Sequence, residues 1–152
     1  MDWDLPMPYI RTLEVVQAEI DGMGHANNAA YVVWCEQCAW QHSESLGLSV
    51  ADYQRLDRGV AIHTASYTYF RACYEGERLA VGTWLVDCDG RLRLQRRFQI
   101  INTLTGETVL RGHWHLVSVI VSTGKPARMP ALFASTYGAA VIRMPAGSTG
   151  SE

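Results

Sequence analysis

The chain has 152 residues, enough for one domain with a full core and too few for two comfortable ones. With 48% hydrophobic and 18% charged residues it has the balance of a folded globular protein rather than a disordered one. Thirteen Lys and Arg against 15 Asp and Glu give a net charge of -2, so no overall positive field exists to hold nucleic acid. No apolar run approaches the roughly 20 residues of a membrane span, and Met1-Asp2-Trp3-Asp4 lacks the positive start of a secretory signal. These features predict a soluble cytoplasmic protein with no nucleic-acid or membrane partner.

Residues 1–8, with two prolines, read as an irregular lead-in to one domain over 9–138, with 139–152 as a flexible tail. Residues 9–20 suggest a first strand, which Asp21-Gly22-Met23-Gly24-His25 breaks with two glycines. Asn27 or Asn28 is a strong helix N-cap, because an Asn side-chain oxygen accepts from the unpaired N–H groups of a first turn. The helix runs to about Leu46 and is closed by Gly47. Its first two turns are apolar all round, so something must wrap it.

A short second helix is signalled by Ser49 three residues before Asp52 and closes near Gly59. Strand-like segments follow over 60–71, 78–88, 92–102 and 107–121. The turns between them are marked by Glu75-Gly76-Glu77, Asp89-Gly90 and Thr105-Gly106. Connections this short predict antiparallel neighbours. From Leu92 the alternation is clear: Leu92, Leu94, Phe98 and Ile100 form a dry face, and Arg91, Arg93, Gln95, Arg97 and Gln99 a wet one. Residues 116–121 are apolar on both faces, which predicts a second layer or a subunit beyond them. Residues 128–137 suggest a short terminal helix, and the whole reads as α+β.

The cysteine and histidine patterns point away from metal and redox chemistry. Cys35 and Cys38 lie inside an apolar helical run with no second pair, which suits small buried hydrophobes better than a zinc or redox motif. His113 and His115 share a strand face, with His63 on another strand, but no carboxylate completes a ligand set, so no metal and no other cofactor is expected.

The densest cluster is Asp21-Gly22-Met23-Gly24-His25-Ala26-Asn27-Asn28. A carboxylate seven residues before a helix start can fold back over that terminus, where free N–H groups and the helix dipole favour its ionised form. The same N–H groups can polarise a carbonyl, and a base beside such a site is the minimum apparatus for acyl transfer to water. The competing reading is that Asp21 caps a turn and His25 packs on it.

Asp21-x-x-Gly24-His25-x-Asn27-Asn28-x-x-Tyr31, with Glu36 further along the helix, resembles hotdog-fold acyl-CoA thioesterases of the 4-hydroxybenzoyl-CoA thioesterase type. Tyr69-Phe70-Arg71 with Gly76-Glu77-Arg78-Leu79, and Thr123-Gly124-Lys125-Pro126 with Met129-Pro130, are similar to later segments of that family. Glu19 stands where many members carry Asp, Ala72 replaces a common Pro, and the helix lacks the usual Arg near Ala39. The resemblance implies a hotdog fold, a long helix wrapped by an antiparallel sheet, assembled as a homodimer or homotetramer. It implies acyl-CoA as substrate, less readily an acyl carrier protein thioester. It further implies Asp21 as general base or nucleophile and the Asn28 N–H as an oxyanion donor. Gly24, His25, Asn27, Tyr31, Tyr69 and Arg71 would then surround the substrate, the last two from the second subunit. A hotdog dehydratase, or a noncatalytic acyl-binding or assembly protein, are the alternatives.

Overall fold

Asn27 ends an extended stretch and starts the principal helix: its own backbone is extended (φ -69°, ψ 157°), and its Oδ1 accepts from the Ala30 N–H at 2.8 Å. In the computed structural model, which describes residues 1–143, this helix is α1, Asn28–Ser45. Gly47 follows at φ 97°, a left-handed conformation that a Cβ disfavours, and turns the chain away. Ser49 and Asp52 cap each other's backbone N–H groups to start α2, Val50–Leu56. That helix ends at Asp57 (φ 51°), two residues before the glycine expected to close it. The cost of a left-handed aspartate is offset by Ser122, whose N–H and Oγ–H donate to its carboxylate at 2.8 and 2.6 Å.

Five antiparallel strands form one sheet in the order β1-β3-β4-β5-β2: β1 Tyr9–Glu14, β2 Arg58–Tyr69, β3 Arg78–Cys88, β4 Arg93–Asn102 and β5 Thr108–Ile120. The expected first strand is cut short by a single 3-10 turn, Gln17–Glu19. The hairpins joining β3 to β4 and β4 to β5 are as predicted. However, β2 and β3 are not neighbours: β2 pairs with β5 at one edge, and residues 70–77 carry the chain across to β3. Cys73 pins that crossing to the helix end, its N–H donating to Tyr31 Oη at 3.1 Å and its carbonyl accepting from the Ala26 N–H at 2.7 Å.

One sheet face packs on α1. Leu79, Val81 and Leu85 of β3, Leu94, Phe98 and Ile100 of β4, and Leu110, Trp114 and Leu116 of β5 enclose Tyr31, Trp34, Cys35, Cys38 and Ala39. This is a hotdog fold of the α+β class. Burial of that apolar face, at roughly 25 cal/mol per Å², is the main force holding helix to sheet. The wrapping is one-sided, since Ala29, Val33, Glu36 and Gln37 remain exposed. A third helix, α3 (Ala131–Ala140), begins three residues later than predicted and seals the core end with Phe133 and Tyr137. Beyond it Val141 and Ile142 pair with Leu85, and the rest of the expected tail, 144–152, lies outside the described residues.

The expected dry and wet faces of β4 need three corrections. Leu92, expected on the dry face, precedes the strand and is 38% exposed. Arg96 lies on the dry face and is 3% exposed, because the alternation through 94 and 98 passes through it. Gln99, expected on the wet face, is fully buried because residues 1–8 lie over it: its Nε2 donates to the Asp2 carbonyl and its Oε1 accepts from the Asp4 N–H. This strap continues with Trp84 Nε1–H donating to the Pro6 carbonyl and Arg111 pairing with the Asp4 carboxylate at 2.7 Å. Trp3 lies flat where Gly82 has no side chain, and a Cβ there would meet the ring at 2.5 Å. Of the apolar outer positions near the end of β5, Val117 and Val119 are half-buried, while Val121 just beyond it is exposed. Among the described residues no helix is long and apolar enough to cross a membrane.

Candidate active site

The glycine loop is a closed turn hung on the start of α1. Ile20 and Ala26 bridge its ends, the Asp21 N–H donates to the His25 carbonyl, and the Gly24 N–H donates to the Asp21 carbonyl with Gly24 at φ 85°. The Asp21 carboxylate accepts from the Met23 N–H at 2.9 Å, lies 4.0 Å from His25 Nδ1, and is about one-third exposed at 34%. It therefore faces water at the loop rim and also caps its own turn.

Glu19, noted in the sequence only as a departure from a pattern, holds this assembly together. Its carboxylate accepts from the Trp34 Nε1–H at 2.7 Å and from the Val16 N–H, while its carbonyl accepts from both the N–H and the Nδ2 of Asn27. Loop, cap and second helical turn are thereby fixed to one residue. Among the described residues the N–H of Asn28 has no acceptor, as expected of a first-turn donor.

Asn28 lines a cavity of about 230 Å³ together with His25, Ala26, Tyr31, Tyr69, Phe70, Arg71 and Ala72. Five of the eight sequence-derived site residues meet there, within one chain. Tyr31 and Tyr69 pack edge to face at 5.2 Å, and Tyr69 Oη reaches the Asn28 carbonyl at 3.5 Å. Burial, reinforced by the Cys73 contact, pushes the Tyr31 phenol up, so it stays protonated. Arg71 pairs with Glu107 at 2.8 Å on the exposed rim. The three residues that do not line the cavity are Gly24 and Asn27, which shape the backbone, and Asp21, which adjoins it through His25.

A second cavity, of about 240 Å³, lies further along α1 between the helix and β2, β4 and β5, with Tyr53 and Tyr137 closing one end. Arg96 is its buried cation, donating through Nη1 to His42 Nδ1 at 2.9 Å and to Thr83 Oγ1 at 3.2 Å. Ser43, Tyr53 and Tyr137 form a hydroxyl chain beside it. The sequence contained the signal, an arginine in phase with Leu94 and Phe98, yet the face was read from its hydrophobic members alone.

His42 stacks on Tyr9, and burial followed by the nearby Arg96 charge pushes its pKa down from 6.5 to about 4. A histidine kept neutral in the fold binds fewer protons than in the unfolded chain, so its contribution is complete above pH 6.5 and is lost as pH falls toward 4. Acid unfolding is expected to steepen over that window, by at most about 1.4 kcal/mol per pH unit from this group. His42→Gln should flatten that slope in urea titrations at successive pH values.

The remaining polar clusters are structural. All four cysteines are free, and burial pushes the Cys38 thiol up to about 11, opposite to the shift of a reactive thiolate. His113 stacks near His115 and bonds Gln95, while Thr64 rather than His63 stands opposite His115; among the described residues no group of three side chains could hold a metal ion.

Residues 15–136 match the family model of the Thioesterase-like superfamily. Among solved structures, a DHNA-CoA thioesterase from Staphylococcus aureus superposes with a TM-score of 0.79 at 24% identity, over 87% of this chain and 89% of that one. A second Staphylococcus aureus protein, solved in complex with CoA, superposes at 0.80 with 18% identity, over 100% and 99%. The 12:0-ACP thioesterase from Umbellularia californica superposes at 0.78 with 17% identity, over 89% of this chain and 51% of that one. No curated protein matches the sequence.

Proposed function

Because the chain belongs to the Thioesterase-like superfamily, we propose that it hydrolyses an acyl thioester, of coenzyme A in preference to acyl carrier protein, to free acid and thiol. The observation that carries this reading is a cavity lined by Asn28, whose N–H is unpaired among the described residues, and by His25, which lies 4.0 Å from the Asp21 carboxylate. The thioester carbonyl accepts from that N–H, where the positive end of α1 favours the negative charge developing on oxygen. Asp21 takes a proton from the attacking water, or itself attacks the carbonyl and is freed by water in a second step. His25, 4.0 Å from the carboxylate, orients it. Structural neighbours that act on or hold coenzyme A favour that carrier. A screen of short, long and aromatic acyl-CoAs, with acyl carrier protein thioesters as a parallel arm, tests the reading by thiol release. Release from none of them overturns it.

The working unit in this reading is a homodimer or a tetramer built from it. Strand β2 is twelve residues long, pairs on one side only, and leaves Ile62 and Tyr69 exposed, with Phe70 beyond its end. Such an edge is a template for a second strand, and Val33 on the open face of α1 is a further exposed apolar side chain. Sedimentation across a dilution series is expected to give a dimer whose specific activity falls on dissociation. A monomer fully active at every concentration would exclude a site that depends on two copies.

A further inference from the structure

The cavity around Arg96 plays no part in the hydrolysis step, and its construction calls for an occupant. Removing a guanidinium from water costs several kcal/mol unless a counter-charge meets it. The neighbouring inner positions of β4 carry Leu94 and Phe98, so a hydrophobic side chain is the inexpensive choice at 96. Arg96 has no ion pair among the described residues: its partners are a neutral imidazole and a hydroxyl, both on Nη1, and Nε and Nη2 have no acceptor. Burial pushes its pKa down to about 10, which still leaves it cationic at neutral pH.

The walls divide by chemistry. Trp40, Ile62, Leu94, Trp114 and Leu116 give an apolar sleeve, and Arg96 with Ser43, Tyr53 and Tyr137 gives a polar end. The other charged lining residue, Glu36, lies nearer the start of α1, roughly 9 Å along the axis from His42. A negative group is therefore repelled at the near end and held at the far one. At about 240 Å³ the space is large enough for a short acyl tail.

We propose that this cavity receives the far end of the acyl group and that Arg96 binds a carboxylate carried there, which makes the substrate class monothioesters of dicarboxylic acids. The proposal rests on the hydrolase reading above and adds the identity of the tail. A guanidinium meets a carboxylate through two parallel N–H donors, and Nε with Nη2 are the pair left open for it.

The test compares matched coenzyme A thioesters across a length series, each pair consisting of a dicarboxylic monothioester and the alkanoyl thioester of equal length. The wild-type protein is expected to favour the dicarboxylic member at least about tenfold in kcat/KM at lengths that reach Arg96, as one charge-assisted contact supplies. Arg96→Met should bring that ratio near one without lowering the melting temperature, since replacing a buried charge by a side chain of similar volume is tolerated. Arg96→Gln substitutes for it should Arg96→Met fail to fold, and the wild-type comparison needs no variant. Equal or faster hydrolysis of the alkanoyl member at every length, or a preference that the variants retain, overturns the proposal. Calorimetry with the free dicarboxylic and monocarboxylic acids reads the cavity apart from the chemistry. Arg96-dependent binding of the diacid by a protein that hydrolyses no thioester removes the hydrolase reading alone. Hydrolysis with no binding difference removes the cavity reading alone, and neither signal removes both.

Discussion

Asp21→Asn is expected to lower thioester hydrolysis at least about a hundredfold while leaving the fold intact. The substitution keeps the size of the side chain and an oxygen able to accept from the Met23 N–H, so the turn that Asp21 caps should survive. What it removes is the proton acceptor or nucleophile, which an amide cannot replace. Because among the described residues the carboxylate forms no ion pair shorter than its 4.0 Å approach to His25, little stability depends on its charge. Thiol release measured beside a thermal melt separates the two effects. A folded Asp21→Asn protein with near-normal turnover would remove this residue from the chemistry and return it to the role of a turn cap.

The largest loss of stability is expected from Phe98→Ala. Phe98 is 2% exposed at the centre of the inner sheet face, edge to face with Trp114 at 4.6 Å, and opposite Gly112 in register. The glycine has no side chain to move into the space, and the facing Tyr67 is tied to Trp114 Nε1–H at 2.8 Å. The void should therefore persist, at a cost of about 3–5 kcal/mol. Against a total of roughly 5–15 kcal/mol this is a large fraction, and the melting temperature should fall on the order of 10 °C. Urea unfolding should show a lower midpoint at unchanged slope, and a shift under about 1 kcal/mol would mean that the site collapses around the missing ring.

The parts of the fold that local chemistry decides were legible in the sequence. Asn27, Gly47, Ser49 with Asp52, and the glycine turns at 76, 90 and 106 each specify a boundary through a bond or a dihedral angle. The predicted bounds of the third strand, 78–88, match β3. What alternation does not encode is partnership: a period of two names the faces of β2 but not the strand beside it, so its pairing with β5 emerged only in three dimensions. The same limit concealed Gln99, whose burial depends on residues nearly a hundred positions away, and Arg96, whose surroundings come from α1, α2 and α3 together. At the candidate site the motif over 21–31 indicated which residues gather at the helix start. Glu19 was missed as the anchor because its partners, Trp34 and Asn27, lie on another element.

The strap over the outer sheet face bears on the order in which this chain can assemble. Its bonds join Asp2 and Asp4 to Gln99 across 97 and 95 positions, Pro6 to Trp84 across 78, and Asp4 to Arg111 across 107. Residues 2–6 thus have nothing to dock on until β3, β4 and β5 have paired. Until then Trp3, Leu5 and the outer side of Trp84 stay open to water, so this apolar surface is among the last that folding covers. In the folded protein the strap can lift without breaking a single strand pairing, so its opening is expected to cost less than that of the sheet beneath it.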